Sequence, residues 1–138
     1  MEDLLDNFEL LFKARGMSAL HGRVFGTLLI SDKALSQEEI AEKTGYSIPA
    51  ISIALDELSR LRLIRKERKS GDRKYYYSTD AKLSQIFYSF LESIHDEHVV
   101  PFLRALRSKK QKNKNVGKFI ESLEDLRQYL ESLLEVSL

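Results

Sequence analysis

Residues 36–61 have the sequence SQEEIAEKTGYSIPAISIALDELSRL, which predicts two short helices joined by a tight turn. Ser36 and Glu39 have the spacing of a capping box, in which each side chain accepts a hydrogen bond from the other residue's backbone N–H. Gly45 is typical of the end of a helix, because glycine adopts the left-handed backbone conformation at little cost. Ser47 is typical of the N-cap of the next helix. The stretch therefore predicts a helix-turn-helix.

The periodicity changes directly after this pair of helices. Residues 63–68 and 74–78 have strand-like composition and flank Ser70-Gly71-Asp72, a cluster of turn-forming residues. The connection is strongly basic, since residues 60–74 hold eight Lys/Arg against two acidic residues, a net charge of +6. Two short helices followed by a basic hairpin predict a winged helix-turn-helix, a mainly α fold with a two-stranded wing.

The flanking sequence is helical, with apolar residues recurring at helical spacing. The predicted flanking helices are residues 4–15, 81–107 and 118–136. Pro101 must kink or restart the middle one, because proline lacks the N–H that a helix interior needs. We expect two domains, a winged helix-turn-helix over 17–80 and a helical arm formed by 1–16 with 81–138.

Two further patterns predict how helices pack. Gly22 and Gly26 lie one turn apart, and such glycines usually mark the close approach of another backbone. Near the end of the chain, five large apolar residues recur at 4-3-4-3 spacing, a heptad seam of two heptads. They are Phe119, Leu123, Leu126, Leu130 and Leu133.

Composition excludes several classes of protein. The chain has 138 residues, 43% hydrophobic and 31% charged, which is typical of a globular protein. The absence of cysteine excludes disulfide frameworks, thiolate zinc sites and cysteine nucleophiles. No apolar run is long enough to span a membrane, and the acidic start is unlike a secretory leader, so we expect a cytoplasmic protein. The net charge of +1 conceals the basic hairpin and a second basic block at 104–118, with seven Lys/Arg and no acidic residue.

The stretch from Gly16 to Lys82 resembles MarR-type winged-helix regulators, and more narrowly the branch that includes the glycine-betaine repressor GbsR and its archaeal relatives. Four segments support the resemblance: LHGRVFGTLLI, SQEEIAEKTGYS, AISIALDEL and LIRKERKSGDRKYYY. It implies a homodimeric transcription regulator, with a lean towards repression, that responds to a small-molecule effector. The chain departs from the family pattern at Arg62, where the family usually has glycine after the recognition helix.

The residues predict DNA binding independently of the resemblance. In a helix-turn-helix the second helix, here 47–61, enters the major groove by its N-terminal half. Serine side chains there can bond phosphates or base edges, and alanine or isoleucine can contact a thymine methyl group. No Arg, Lys, Asn or Gln precedes Arg60 on this helix, so it has few groups that could read bases strongly. We expect the wing, 66–75, to supply the missing affinity by contacts with phosphates and the minor groove. The candidate DNA contacts are Ser36, Ser47, Pro49, Ala50, Ser52, Ile53 and Arg60 on the helices, and Arg68, Lys69, Arg73 and Lys74 on the wing.

The wing tip suggests how its arginine is held, since Asp72 is adjacent to Arg73 and could orient an arginine by a charge-assisted bond. A dimer would place two recognition helices about one turn of DNA apart, ~34 Å, and the flanking helices offer the apolar surface for it. The alternative is that their apolar stripes pack only within one chain. For the block 104–118, a solvated linker, a contact with flanking DNA and a phosphate contact in the dimer remain open.

Other functions have less support. Glu92 and His95 copy the spacing of a helical metal pair, but a solvated helix face is the better interpretation. Six aromatic residues suggest a junction that could cage a quaternary ammonium ligand by cation–π attraction. They are Phe8, Phe12, Phe25, Phe87, Tyr88 and Phe90. We find no phosphate-binding loop and no nucleophile with base and acid, so an enzyme is not expected, and no cofactor is predicted. The serious alternative to a regulator is a winged-helix protein-interaction module within the transcription machinery, favoured by the apolar Pro49, Ala50 and Ile53.

Overall fold

Helices and one antiparallel hairpin account for most of residues 2–110 and 112–136, which the computed structural model describes. The elements are α1 (Glu2–Ala14), α2 (Ala19–Leu29), α3 (Gln37–Thr44), α4 (Ile48–Arg60), β1 (Arg65–Arg68), β2 (Tyr75–Ser78), α5 (Leu83–Ser93), a π-helical segment (Ile94–Val99), α6 (Val100–Arg107) and α7 (Lys114–Leu134). The predicted fold class, a mainly helical winged helix-turn-helix with a two-stranded antiparallel sheet, is confirmed. The chain divides into two compact units, Met1–Lys82 and Leu83–Leu138.

Helix α1 packs closely on α2 because Gly22 has no side chain. A Cβ at Gly22 would lie 2.3 Å from the backbone oxygen of Phe8, so the predicted close approach of a backbone is confirmed there. At Gly26 the nearest atoms belong instead to the side chains of Leu5 and Phe8. Phe8 and Phe12 are buried and pack on Phe25, with ring centroids 5.7 and 5.4 Å apart. Residues 1–16 therefore belong to the first compact unit, whereas the predicted division groups them with 81–138.

The predicted ends of the helix-turn-helix are confirmed. Ser36 caps α3, accepting from the Glu39 N–H at 3.2 Å while Glu39 Oε1 accepts from the Ser36 N–H at 3.1 Å. Gly45 ends α3 in the left-handed conformation, with φ of +79°. Ser47 then caps α4, and its hydroxyl accepts from the Ala50 N–H.

Helix α4 ends in a left-handed residue that is not glycine. Arg62 has φ of +61°, and its N–H donates to the Ser59 carbonyl, while the Leu63 N–H donates to the Leu58 carbonyl. These two bonds form a Schellman motif, which brings the buried Leu63 back towards the helix. The position is the one at which the family resemblance leads us to expect glycine.

The wing is joined to the helices by an isolated β-bridge at one residue, Leu35. In the wing, Arg65 pairs with Ser78 and Arg68 with Tyr75. Leu35, just before α3, exchanges both backbone hydrogen bonds with Tyr77, at 2.9 and 2.7 Å. Leu35 and Tyr77 are both buried, so β2 is held to the domain by main-chain bonds and by packing.

The second unit is a helical hairpin whose first arm contains a π-helical segment. Its first helix changes to π-helical geometry over Ile94–Val99, directly before Pro101. The Val100 N–H donates to the His95 carbonyl five residues back, which shifts the hydrogen-bond ladder where the proline ring would clash with the preceding turn. Pro101 thus restarts a helix, α6, as predicted. Helix α7 begins at Lys114, before the predicted start at residue 118, because the Asn113 side chain caps it by accepting from the Asn115 and Val116 N–H groups.

The predicted heptad seam on α7 separates into two faces. Leu123 and Leu130 are buried in the core of the unit with Val99 and Leu103. The other three seam positions, Phe119, Leu126 and Leu133, recur every seven residues and are exposed, and exposed Tyr129 and Val136 extend this second face. The helix consequently has more apolar surface than its own hairpin covers.

Candidate nucleic-acid interface

The outward face of α4 starts at the helix N-terminus and is largely apolar. Ile48 and Ile53 have 44% and 68% of their surface exposed, and Pro49 is also exposed. Ala50 and Ser52 are half-buried beside them. The opposite face is closed, because Ile51, Ala54, Leu55 and Leu58 are buried. This face can offer methyl contacts and one hydroxyl to a base edge, but little charge.

Two of the helical candidates already have partners within the domain. The Ser47 hydroxyl is used as the cap of α4. Arg60 donates to both carboxylate oxygens of Glu57, from Nε at 3.2 Å and from Nη2 at 2.7 Å. Its positive charge is therefore partly neutralised at the C-terminal end of the helix.

Ser36 does not belong to this surface. Its side chain is 3% exposed, and its hydroxyl accepts the Glu39 N–H of the capping box. The prediction that Ser36 contacts DNA is therefore not supported by the geometry. A capping hydroxyl at a buried helix start is a structural group, and the same serine signal predicts both roles.

The wing concentrates exposed cations around tyrosine rings. Lys66 Nζ and the Arg68 guanidinium carbon lie 4.1 and 4.8 Å from the ring centroid of Tyr75. On the other face of the hairpin, Lys69 Nζ lies 4.2 Å from the ring of Tyr76. These cation–π contacts hold the ammonium and guanidinium groups near the hairpin while leaving them exposed to solvent. Lys66 is not among the predicted DNA contacts, although the alternation of a hairpin centred on Gly71 places it on the face of Tyr75.

Asp72 organises the wing tip, though not in the predicted way. Its Oδ1 accepts from the Lys74 N–H at 2.9 Å, and its Oδ2 accepts from the Tyr76 hydroxyl at 2.8 Å. The prediction that Asp72 holds an arginine side chain is wrong, because both carboxylate oxygens serve the turn and the tyrosine. The Lys74 N–H first, and then the Tyr76 hydroxyl, hold the pKa of Asp72 below its usual value. The same bond to Asp72 raises the pKa of Tyr76.

One side of the wing lies beside the helix-turn-helix. Arg73 and Lys74 line a cleft of about 200 Å³ together with Gln37 and Glu38 at the start of α3. Within the described part of the chain, no ion pair involves the side chains of Arg73 or Lys74. Two cations are thus carried next to the first helix of the motif.

A second, larger groove runs along α4. It has a volume of about 550 Å³ and is lined by the turn between α1 and α2 and by the exposed side of α4. The lining residues are Gly16, Met17, Ser18, His21, Ile53, Asp56, Glu57 and Arg60. His21 Nδ1 lies 2.6 Å from the Ser18 hydroxyl, and burial lowers the pKa of this histidine. An occupant of the groove would lie against Ile53 and Asp56, on the outward face of the helix.

Comparison with known proteins finds a family model that matches this part of the chain. Residues 15–74, which include the helix-turn-helix and the wing as far as Lys74, match the model of the MarR family. No curated protein matches the chain.

The fold of the chain is also found among solved structures. A crystal structure of a transcriptional regulator is 21% identical, covers 96% of this chain and 89% of its own chain, and has a TM-score of 0.74. MepR, a transcription regulator of the Staphylococcus aureus multidrug efflux pump MepA, is 21% identical over 96% of this chain and 91% of its own, with a TM-score of 0.48. BldR from Sulfolobus solfataricus is 20% identical over 88% of this chain and 84% of its own, with a TM-score of 0.47. At this identity, the likeness to the first structure concerns the fold.

Three aromatic residues of the suggested cage lie in the first compact unit, and they do not form a cage. Phe8, Phe12 and Phe25 are buried and pack on one another, so their ring faces are not available to a ligand. The reason is the absence of side chains at Gly22 and Gly26, which lets α1 close over α2.

In the second compact unit, His95 bonds two carboxylates, neither of which is Glu92. Nδ1 lies 2.7 Å from Asp96 Oδ1, and Nε2 lies 2.7 Å from Glu131 Oε2 on α7. Among the residues described, no group of three or more His, Asp or Glu side chains could hold a metal ion. Nor does any helix of the described residues have the length and apolar character needed to cross a membrane.

Proposed function

We propose that this chain is a sequence-specific DNA-binding transcriptional regulator, and not an enzyme, that acts as a homodimer and represses by occupying promoters. The observation that supports it is the wing, which carries exposed cations beside the helix-turn-helix, within the residues 15–74 that match the MarR family model. In this proposal α4 lies in the major groove, and Arg68, Lys69, Arg73 and Lys74 contact the minor groove and phosphates. A regulator of genomic DNA would act in the cytoplasm.

The character of α4 defines how sequence is recognised. Ile53, Ala50 and Pro49 offer contacts with thymine methyl groups, and Ser52 offers one hydroxyl. We therefore expect a preference for sites rich in A·T pairs, with much of the affinity supplied by the wing. Since the wing acts on phosphates, affinity should fall steeply with salt.

An electrophoretic mobility shift with genomic fragments, at low and at moderate salt, tests the proposal. Retention of particular fragments is expected, and the R73A/K74A variant should lose it at the higher salt. The K13A variant is a control, because Lys13 is an exposed lysine in the last turn of α1. Absence of any shift at low salt would contradict DNA binding.

A protein-interaction module is the second candidate, and one observation favours it. Ile48 and Ile53 are large apolar residues that are exposed on the outward face of α4. If they bind a protein, I53E should abolish capture of that partner from the transcription machinery, and R73A/K74A should have no effect on it. DNA retention in the mobility-shift experiment separates the two candidates.

For the homodimer, we propose that residues 1–16 and 81–138 both contribute to dimerisation, although they lie in different compact units, and that the exposed face of α7 meets a second copy. Phe119, Leu126 and Leu133 form a continuous stripe, with Tyr129 beside it. Such a stripe is typical of a helix–helix interface. The L126E variant should convert a dimer to a monomer in sedimentation equilibrium, while Q128E, a change on the polar side of α7, should not. A wild-type monomer would contradict the arrangement.

The GbsR-like branch and an effector are proposals of the same kind. The helix LHGRVFGTLLI supports the branch, since its first glycine admits the backbone of α1. The groove along α4 is where we place an effector, because an occupant there would compete with DNA for Ile53. Titration calorimetry with osmolytes and small aromatic acids tests this, and H21A should abolish any binding found.

A further inference from the structure

We propose that a second basic surface, on the helical unit, binds the phosphate backbone of double-stranded DNA without reading its sequence. The surface consists of Arg104, Lys109, Lys110, Lys112, Lys114 and Lys118, all of them exposed. The inference rests on the proposed function only in the choice of DNA as the partner. A regulator that is bound to DNA by its wing has further duplex DNA close to this surface, at high local concentration.

The charge of this surface has little local compensation. Residues 104–118 contain seven Lys/Arg and no acidic residue. Arg107 alone among these cations has an ion pair in the described part of the chain, with Glu124 at 2.9 Å. The other six cations repel one another, and an anion would relieve that repulsion.

Helix stability explains the cations of α6 but not those of α7. Arg104 and Arg107 lie in the last turn of α6, where positive charge stabilises the negative end of the helix dipole. Lys114 and Lys118 lie in the first turns of α7, where the same charge is unfavourable, and the first turn of α7 has no acidic residue. The chain follows the usual rule elsewhere, since α1 and α3 begin with acidic residues.

A glycine within α7 supports a close approach from outside. Gly117 lies in the helix between Lys114 and Lys118, and no atom lies within 4 Å of the position its Cβ would occupy. Unlike Gly22, it admits no neighbour within the described residues, although a glycine at such a position costs about 0.5–1 kcal/mol relative to alanine. The open backbone leaves room for a sugar-phosphate chain between two lysines.

The test uses the full-length protein and a fluorescent duplex of random sequence, with binding measured by anisotropy over a range of salt. The K109Q/K110Q/K112Q/K114Q/K118Q variant should bind the random duplex at least tenfold more weakly near 0.1 M salt. Its slope of log K against log salt should fall by about 0.9 for each phosphate that the variant no longer neutralises. Its preference for specific over random DNA should be preserved, and circular dichroism verifies that it folds.

A matched pair separates a local interaction from net charge. K118E and K13E each change the charge by two units at an exposed helical position, and K118E should weaken random-duplex binding several-fold more than K13E does. Equal effects of the two, or an unchanged salt slope in the five-lysine variant, would overturn the inference. So would loss of binding to phosphatidylserine vesicles with DNA binding unchanged, which would make the partner a membrane.

The two proposals fail in different ways. If R73A/K74A loses specific binding and the five-lysine variant behaves as wild type, the wing proposal stands and the second surface is excluded. If the wild type binds random duplex through the second surface but prefers no genomic fragment, the surface stands and the regulator proposal fails.

Discussion

The Tyr76 hydroxyl donates a 2.8 Å hydrogen bond to Oδ2 of Asp72, whose Oδ1 accepts the Lys74 N–H at 2.9 Å. Asp72 thereby joins the turn at the wing tip to the strand that leaves it. The Lys69 ammonium lies over the same tyrosine ring. The wing tip is thus organised before any partner arrives, and a partner need not supply the ordering energy.

The bond between Tyr76 and Asp72 can be removed by deleting one oxygen atom. In Y76F we expect an unchanged melting temperature and DNA affinity reduced several-fold, because the tip loses its order while the domain core is untouched. The Asp72 pKa should rise towards its usual value, measured by carbonyl NMR. Y75F is the control, since no hydrogen bond of the Tyr75 hydroxyl occurs among the described residues. Equal affinities of the two variants would argue against this role.

Arg62 occupies a position that suits glycine. Its φ of +61° costs a side chain about 1 kcal/mol, which glycine does not incur. R62G should therefore stabilise the protein by about 1 kcal/mol in urea unfolding, despite the added flexibility of the unfolded chain. R60G makes the same change within α4 and should destabilise by about 1 kcal/mol. A loss of stability in both variants would show that the Arg62 side chain contributes more than its backbone costs.

Three glycines should respond differently to the same methyl group. G22A places Cβ 2.3 Å from the Phe8 backbone oxygen and should destabilise the first unit by about 1–3 kcal/mol or more. G26A meets side chains at 2.9 and 3.0 Å and should cost less, because these can shift. G117A meets no atom and should stabilise α7 by about 0.5–1 kcal/mol. Thermal unfolding checks the order, and a G22A protein as stable as wild type would contradict the tight packing of α1 on α2.

His95 makes the helical unit sensitive to pH. The bonds to Glu131 and then to Asp96 raise the pKa of His95, and the neighbouring Arg127 donates to Glu131. Since the folded state binds the proton more tightly than the unfolded chain, this contribution is complete below the unfolded pKa, near 6.5. It is lost as pH rises through the raised folded value. The His95 bonds should therefore contribute less to the melting temperature at mildly alkaline pH than at mildly acidic pH. The lowered pKa of His21 in the first unit acts in the opposite direction.

The H95Q variant should lack most of this dependence, because glutamine cannot gain the proton. H98Q is the matched control, as His98 is exposed and only three residues away. If H95Q and wild type show the same dependence on pH, the His95 bonds do not contribute to it. Loss of stability at strongly acidic pH has a different origin. The bond from Arg127 lowers the pKa of Glu124 to about 2, so the ion pair between these residues weakens only under strongly acidic conditions.

Local signals in the chain were sufficient for the helix ends. The Ser36 capping box, the Gly45 stop and the Ser47 cap each act through hydrogen bonds or backbone angles within four residues, and all three are present. Gly22 likewise indicated a close approach of backbone, which the Phe8 carbonyl makes. Interactions of short range in sequence leave a short-range pattern, so they can be recognised without coordinates.

Burial and contacts between distant parts of the chain left no such pattern in the sequence. Serine has the same local signature whether it binds DNA or closes a buried cap, and only the 3% exposure of Ser36 distinguishes the two. Asp72 stands next to Arg73 in the chain, yet it bonds Tyr76, because the hairpin register brings that hydroxyl to its carboxylate. The five apolar positions of α7 look equivalent in sequence, but packing in three dimensions buries Leu123 and leaves Leu126 exposed. Burial and partner choice depend on which elements meet in space, and that is a property of the folded chain.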